Sequence, residues 1–124
     1  MTRAVEIVQK QLDAYNNKDI SAWLKTYAED AVQYSTEGEI LATGHEQMKQ
    51  NMMVRFAESD LYAELTNRIV CDDIVIDHEL IIRNFPEGKG SIEMLCIYHV
   101  EQGLIKKGQF KVFNKKLFAA HQSE

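Results

Sequence analysis

The change of hydrophobic period on either side of residues 27–32 most constrains how this chain can fold. Before that stretch, apolar residues recur at the spacing of two short helices. After it come a polar connecting segment, one more helical segment and four runs in which apolar and polar residues alternate, as they do in strands. Helices followed by a meander of strands predict an α+β domain.

Two amphipathic helices are predicted ahead of residue 27. The first presents one apolar stripe, made of Val5, Val8, Leu12 and Tyr15. Residues 16–18 end this helix, and Asp19 is well placed to cap the next one. The buried face of the second helix is predicted to hold Ile20, Trp23, Leu24 and Tyr27. A short strand through Val32 and Tyr34 and a polar loop at residues 35–39 should follow.

A third helix and four strands are predicted for the rest of the chain. Thr43 and Glu46 have the spacing of a capping box, and the helix they begin should present Met48, Met52 and Phe56 inward. The strands are expected at residues 62–70, 74–85, 91–101 and 104–113. The turns between them are too short for parallel crossovers, so neighbouring strands should be antiparallel. The tail after residue 114 either frays or extends the last strand.

Length and composition exclude several classes of protein. The 124 residues are enough for one domain, residues 1–124, with a core and an internal cavity. A formal charge of −5 argues against a nucleic-acid partner. No apolar run approaches the ~20 residues of a membrane span, and the first residues lack the apolar core of a signal peptide. We therefore expect a cytoplasmic protein with reduced Cys71 and Cys96.

The order of elements resembles the nuclear transport factor 2-like superfamily, in its SnoaL-like and ketosteroid isomerase-like branch. The resemblance covers about residues 5–113 and leaves 114–124 as a tail. It implies a cone-shaped fold in which three N-terminal helices pack on a strongly curved antiparallel sheet of about four to six strands, with a pocket between them. This scaffold hosts isomerases, cyclases, hydrolases and non-catalytic binders, so it does not assign an activity.

The resemblance also implies a homodimer, because family members usually pair through the outer face of the sheet. The strand predicted at residues 74–85 is apolar on both faces. Without a partner, that strand would expose Val75 and Ile81 to water.

The densest polar cluster, residues 77–79, lies in this same strand. Alternation puts Asp77 and Glu79 on one face and His78 on the other, so the three side chains cannot share one cavity. In one register His78 faces the cavity or the core and is a candidate acid or base. In the other register Asp77 is the candidate base. Tyr98, on the apolar stripe of the next strand, is either a hydroxyl donor in the pocket or a core tyrosine.

The remaining candidates form the expected pocket wall. Arg55 could bind an anionic ligand with its planar guanidinium, or could pair with a surface carboxylate. Tyr34 should lie near the cavity mouth. The apolar part of the wall is predicted to consist of Trp23, Tyr27, Met52 and Phe56. Such a wall suits a small apolar or aromatic molecule. No metal-ligand spacing or glycine-rich phosphate loop is present in the sequence, so we expect neither a metal nor a cofactor.

Ketosteroid isomerase activity is not expected, despite the resemblance. That branch implies an aspartate base, a helix tyrosine and a protonated aspartate that holds the oxyanion. Here Tyr34 or Ser35 stands at the place of the base, and the tyrosine's place falls near Gln11. The oxyanion aspartate's place falls near residues 95–96. None of these positions supplies a carboxylate.

Two other branches of the family suggest roles for single residues. In SnoaL-type cyclases an acidic base lies deeper in the sheet, where Asp77 or His78 could serve. An Asp-Arg-Asp arrangement of the epoxide hydrolase type could include Arg55 and Asp77, but the chain offers no convincing second aspartate. The sequence therefore predicts either a cofactor-free isomerase, cyclase or dehydratase of unassigned substrate, or a non-catalytic binder or dimerising module.

Overall fold

The computed structural model describes residues 3–118 and contains three helices and six strands in that range. The helices are α1 (Ala4–Asn16), α2 (Ile20–Lys25) and α3 (Gly44–Phe56). The strands are β1 (Tyr27–Ser35), β2 (Ile40–Thr43), β3 (Tyr62–Cys71), β4 (Ile74–Phe85), β5 (Gly88–Glu101) and β6 (Leu104–Leu117). The predicted α+β class is confirmed. The part of the expected tail up to residue 117 extends β6, and the part from residue 119 lies outside the described residues.

The six strands form one mixed sheet in the order β2-β1-β6-β5-β4-β3. Strands β3 to β6 are a meander of antiparallel neighbours, as predicted. The expectation of a wholly antiparallel sheet is wrong, because β1 pairs with β6 in parallel. The long stretch of chain between these two strands makes such a crossover possible. Only α1 and α2 precede the strands; α3 lies between β2 and β3.

Of the two helix caps predicted from the sequence, one is formed in the structure and the other is not. The side chain of Asp19 caps α2 by accepting a hydrogen bond of 3.0 Å from the backbone N–H of Ala22, as predicted. The capping box at Thr43 is not formed: its side chain caps nothing, and Gln47 Oε1 instead accepts from the Thr43 N–H at 2.8 Å. Helix α2 ends at Lys25, so Tyr27 begins β1 and does not belong to the helix.

The sheet bends around the helices. Register shifts interrupt four of the five strand pairings in the described chain, and such irregularities kink strands and increase their twist. The core lies on the inner face, where Val75 and Ile81 of β4 are fully buried. Within residues 74–81 of β4, the partly exposed side chains are on the outer face, and they include Ile76 and Leu80. Val75 and Ile81 were expected to be exposed to water unless a second subunit covered them. That expectation is wrong, because both are buried within the monomer.

None of the helices within residues 3–118 combines the length and the apolar character that a membrane crossing requires.

Candidate functional site

A cavity of about 680 Å³ lies between the helices and the inner face of the sheet. All three helices and five of the six described strands contribute to its wall. Ligand sites for small molecules typically enclose about 300–1,000 Å³ and have mostly apolar walls with a few polar groups. This cavity is therefore the candidate functional site.

The deep wall of the cavity is aromatic. Trp23 and Tyr27 are almost fully buried there, with ring centroids 4.9 Å apart. On the sheet side, Tyr98 meets Phe110 edge to face at 5.9 Å. Met52 of α3 completes this part of the wall. The predicted residues Trp23, Tyr27, Met52 and Tyr98 are thus brought together around one space.

The charged residues at the mouth are already paired. Arg55 lines the cavity, and its Nη1 donates to Glu58 Oε2 at 3.1 Å. Lys111 Nζ donates to Glu37 Oε2 at 3.0 Å, and both of these residues also line the cavity. An anionic ligand would have to displace a carboxylate from either cation.

Glu79 places a carboxyl group in the deep part of the cavity. It lies on the inner face of β4 and is only 4% exposed. Burial raises the pKa of its carboxyl to about 7, and the nearby Asp77 carboxylate adds to this effect. The Arg68 guanidinium acts in the opposite direction. A carboxyl with a pKa near neutrality can both accept and donate a proton, as acid–base catalysis requires.

Asp77, a predicted base, faces inward but is held by an ion pair. Arg68 Nε donates to Asp77 Oδ1 at 2.6 Å, and Arg68 Nη2 donates to Oδ2 at 2.9 Å. The remaining Nη1 of Arg68 donates to Gln9 Oε1 at 2.8 Å. Asp77 is fully buried beside the cavity and is not part of its wall. Its role here is to hold Arg68, and it is poorly placed to act as a base.

His78, the other predicted base, lies on the outer face of the sheet. Its Nε2 is 2.6 Å from Glu93 Oε1, and its ring stacks on Phe113 at 5.8 Å. The alternation of β4 that sends Glu79 inward necessarily sends His78 outward. The expectation that His78 faces the cavity or the core is therefore wrong, and it cannot reach a ligand there.

Two further predicted wall residues lie outside the cavity wall. Tyr34 is on the opposite face of β1 from the cavity-lining Gln33, and the ammonium of Lys107 lies 5.2 Å from its ring centroid. Phe56 packs behind the wall, with its ring 6.4 Å from that of Trp23. Phe56 therefore supports the cavity without lining it.

The neutral donors around Glu79 stay protonated near neutral pH. Burial raises the pKa of the Tyr98 hydroxyl and of the Cys96 thiol well above their ordinary values. Tyr15, which also lines the cavity, has its pKa raised for the same reason. Each hydroxyl can donate a hydrogen bond to a ligand without carrying charge. No group of three or more potential metal ligands occurs within residues 3–118.

A family model described as "SnoaL-like domain" matches residues 8–108. The chain belongs to this family. The match covers most of the chain, from within α1 to the beginning of β6, and the cavity-lining residues of β6 lie just beyond it. Members of the SnoaL-like family bind small molecules. The comparison with curated proteins gives no significant match.

Solved structures show that the fold is shared with distant proteins. An uncharacterised cystatin-fold protein from Novosphingobium aromaticivorans is 18% identical, with a TM-score of 0.82 over 90% of this chain and 99% of the other. A hypothetical protein with a ketosteroid isomerase-like fold from Catenulispora acidiphila, in complex with trimethylamine, is 17% identical, with a TM-score of 0.73 over 86% of this chain and 84% of the other. TerC, co-crystallised with polyporic acid, is 14% identical, with a TM-score of 0.77 over 91% and 92%. These similarities establish the fold.

The positions compared with ketosteroid isomerase do surround the cavity of this SnoaL-like protein. Gln11, Ser35 and Cys96 all line it, and none of them supplies a carboxylate. The carboxyl comes from Glu79 on β4, a residue that the sequence analysis left out of its candidate site. Alternation in the sequence places Glu79 on the same face of β4 as Val75 and Ile81, but because both faces of this strand are apolar, no signal in the sequence shows that this face is the inner one.

Proposed function

We propose that this protein is a cofactor-free enzyme that moves a proton on a small, largely apolar molecule. The observation that carries the proposal is Glu79, a buried carboxyl in the cavity whose pKa is raised to about 7. Such a group exists in both protonation states near neutral pH, where it can take a proton from one atom and return it to another. Isomerisation, cyclisation and dehydration all need this step. Two structural neighbours of the chain were crystallised with small molecules, which supports a ligand in this cavity.

The surrounding residues define the rest of the mechanism. A substrate in the cavity would contact the aromatic wall of Trp23 and Tyr27, which excludes water from the reacting atoms. Tyr98, buried and protonated, is the proposed donor to an oxygen that gains negative charge. Arg68 and Asp77 stand beside Glu79 and neutralise each other, so the carboxyl of Glu79 keeps its raised pKa.

Proton exchange tests this proposal without knowledge of the natural substrate. A panel of small ketones with acidic α-protons is incubated with the protein in D₂O, and deuterium incorporation is followed by NMR. We expect incorporation to rise as pH increases through about 7, where Glu79 becomes a carboxylate. Glu79→Gln should reduce the rate by about 100-fold or more, the usual contribution of a general base. Glu64→Gln, an exposed position on β3, is the matched control.

If exchange is the same in the wild type and in Glu79→Gln, the catalytic proposal fails. The second candidate, a non-catalytic binder, then remains. It is favoured by the size of the cavity and by its aromatic wall, neither of which depends on Glu79. Saturable binding of panel compounds without exchange would support it.

We also propose that the protein forms a homodimer through the outer face of the sheet. A shallow apolar depression there is lined by Ile69, Ile76, Leu95 and Phe113, next to His78. Ile69 is 56% exposed, which is unusual for an isoleucine in a strand unless a partner covers it. Ile69→Lys should shift the protein to monomer in sedimentation velocity. Val54→Lys, on α3 at the cavity mouth, is the control, and a monomeric wild type at high micromolar concentration would contradict the proposal.

A further inference from the structure

Three buried side-chain atoms have no hydrogen-bond partner within the described residues. They are Gln11 Oε1, Trp23 Nε1 and Tyr27 Oη; the Gln33 side chain lies close enough to Tyr27 Oη to act against the rise of its pKa, but forms no well-aligned hydrogen bond with it. All three belong to residues that line the cavity, although these residues come from α1, α2 and β1 respectively. Buried polar atoms in folded proteins are nearly always hydrogen-bonded, and an unpaired one needs an explanation. Because all three residues line one cavity, a ligand in that cavity is the candidate partner for these atoms.

The chemistry of these atoms restricts what the ligand presents. The indole nitrogen of Trp23 only donates, the carbonyl oxygen of Gln11 only accepts, and the hydroxyl of Tyr27 does either. A hydroxyl group on the ligand matches this set, because its oxygen accepts two hydrogen bonds while its proton is donated. A carbonyl oxygen accepts from the two donors but leaves Gln11 unpaired.

Charge further restricts the ligand. The arginines beside and at the mouth of the cavity are engaged, Arg68 by Asp77 and Arg55 by Glu58. A carboxylate at the deep end would therefore lie buried without a free counter-ion. We propose that the ligand enters with an uncharged hydroxyl group, carried on an apolar ring, which accepts from Trp23 and Tyr27 and donates to Gln11. This inference rests on the proposed function only in taking the cavity as the ligand site.

Four compounds of similar size test the inference: indane, 5-indanol, 1-indanone and indane-5-carboxylate. Trp23 is the only tryptophan in the chain and lines the cavity, so its fluorescence reports binding. We expect 5-indanol to bind at least about tenfold more tightly than each of the other three compounds, since a site built around a hydroxyl discriminates strongly against analogues that lack it. Equal affinities for 5-indanol and indane would overturn the inference. Equal affinities for 5-indanol and 1-indanone would also overturn it, because Gln11 would then not be accepting.

A matched pair of variants distinguishes the loss of the Tyr27 hydroxyl inside the cavity from the loss of a tyrosine hydroxyl elsewhere. Tyr27→Phe should weaken 5-indanol binding by about tenfold and leave indane binding unchanged. Tyr62→Phe removes a hydroxyl from an exposed tyrosine of β3, outside the cavity, and should change neither affinity. Should Tyr27→Phe fail to fold, the wild-type series still decides the question.

The outcome is independent of the test of catalysis, because turnover is not measured. A hydroxyl preference without Glu79-dependent exchange would remove the catalytic proposal alone. Glu79-dependent exchange without a hydroxyl preference would remove this inference alone.

Discussion

Replacing Glu79 by glutamine should stabilise the protein at high pH. The folded-state pKa of about 7 lies above the ordinary value of 4.5, so folding favours the protonated carboxyl. Between these two pH values the folded chain keeps a proton that the unfolded chain loses. Wild-type stability therefore falls as pH rises through this window, and the loss is complete above about pH 7.

The size of this stability change follows from the difference between the folded-state pKa of Glu79 and its ordinary pKa. At about 1.4 kcal/mol per pH unit, the cost of ionising Glu79 in the folded state is about 3 kcal/mol. Glutamine has nearly the shape of the protonated carboxyl and does not titrate. Between pH 5 and pH 8.5, Glu79→Gln should therefore gain about 2.5 kcal/mol of unfolding free energy relative to the wild type.

Urea unfolding followed by the fluorescence of Trp23 measures this difference, because that side chain is buried in the folded state. Contributions of other titrating groups cancel when the variant is compared with the wild type at each pH. Glu64→Gln is the control, and its difference from the wild type should stay constant within a few tenths of a kcal/mol. Parallel stability curves for the wild type and Glu79→Gln would refute the reasoning, because they would mean that the carboxyl titrates normally.

Three other substitutions test the framework around the cavity, all by urea unfolding at neutral pH. Asp77→Ala leaves Arg68 without its buried partner and should cost about 3–5 kcal/mol, whereas Asp30→Ala, which breaks an exposed pair, should leave stability almost unchanged. Equal losses of unfolding free energy in these two variants would show that the buried ion pair stabilises the protein no more than the exposed one. Glu58→Ala removes the acceptor of two arginine side chains and one backbone N–H, and we expect a loss of about 3 kcal/mol. Gly90→Ala would place a Cβ against a backbone oxygen of β6 and should cost about 1–3 kcal/mol; unchanged stability would mean that β5 and β6 separate easily there.

The sequence predicted the four later strands well, because their alternation is local and regular. β4 was placed at residues 74–85, and the structure has Ile74–Phe85. β2 was missed because it has only four residues, and the buried one among them is Ala42. The parallel pairing of β1 with β6 depends on residues far apart in the chain, and no local pattern reports it.

The site was predicted less well than the fold, for a physical reason. Both stripes of β4 are apolar: Val75 and Ile81 on one side, Ile76 and Leu80 on the other. Hydrophobicity alone therefore cannot decide which stripe faces the helices. The packing decides it, and with it whether Glu79 or His78 meets a ligand.

The parallel pairing of β1 and β6 has a consequence for how the chain folds. Tyr27 lies opposite Ile105, and Ser35 lies opposite Phe110, so the sheet is completed only when the last strand docks beside the first. During synthesis the chain must leave the ribosome as far as β6 before this can happen. Contacts between such distant segments slow folding, because a long loop must close before they form. The cavity, whose wall includes both Tyr27 and Phe110, is therefore expected to be among the last regions to assemble.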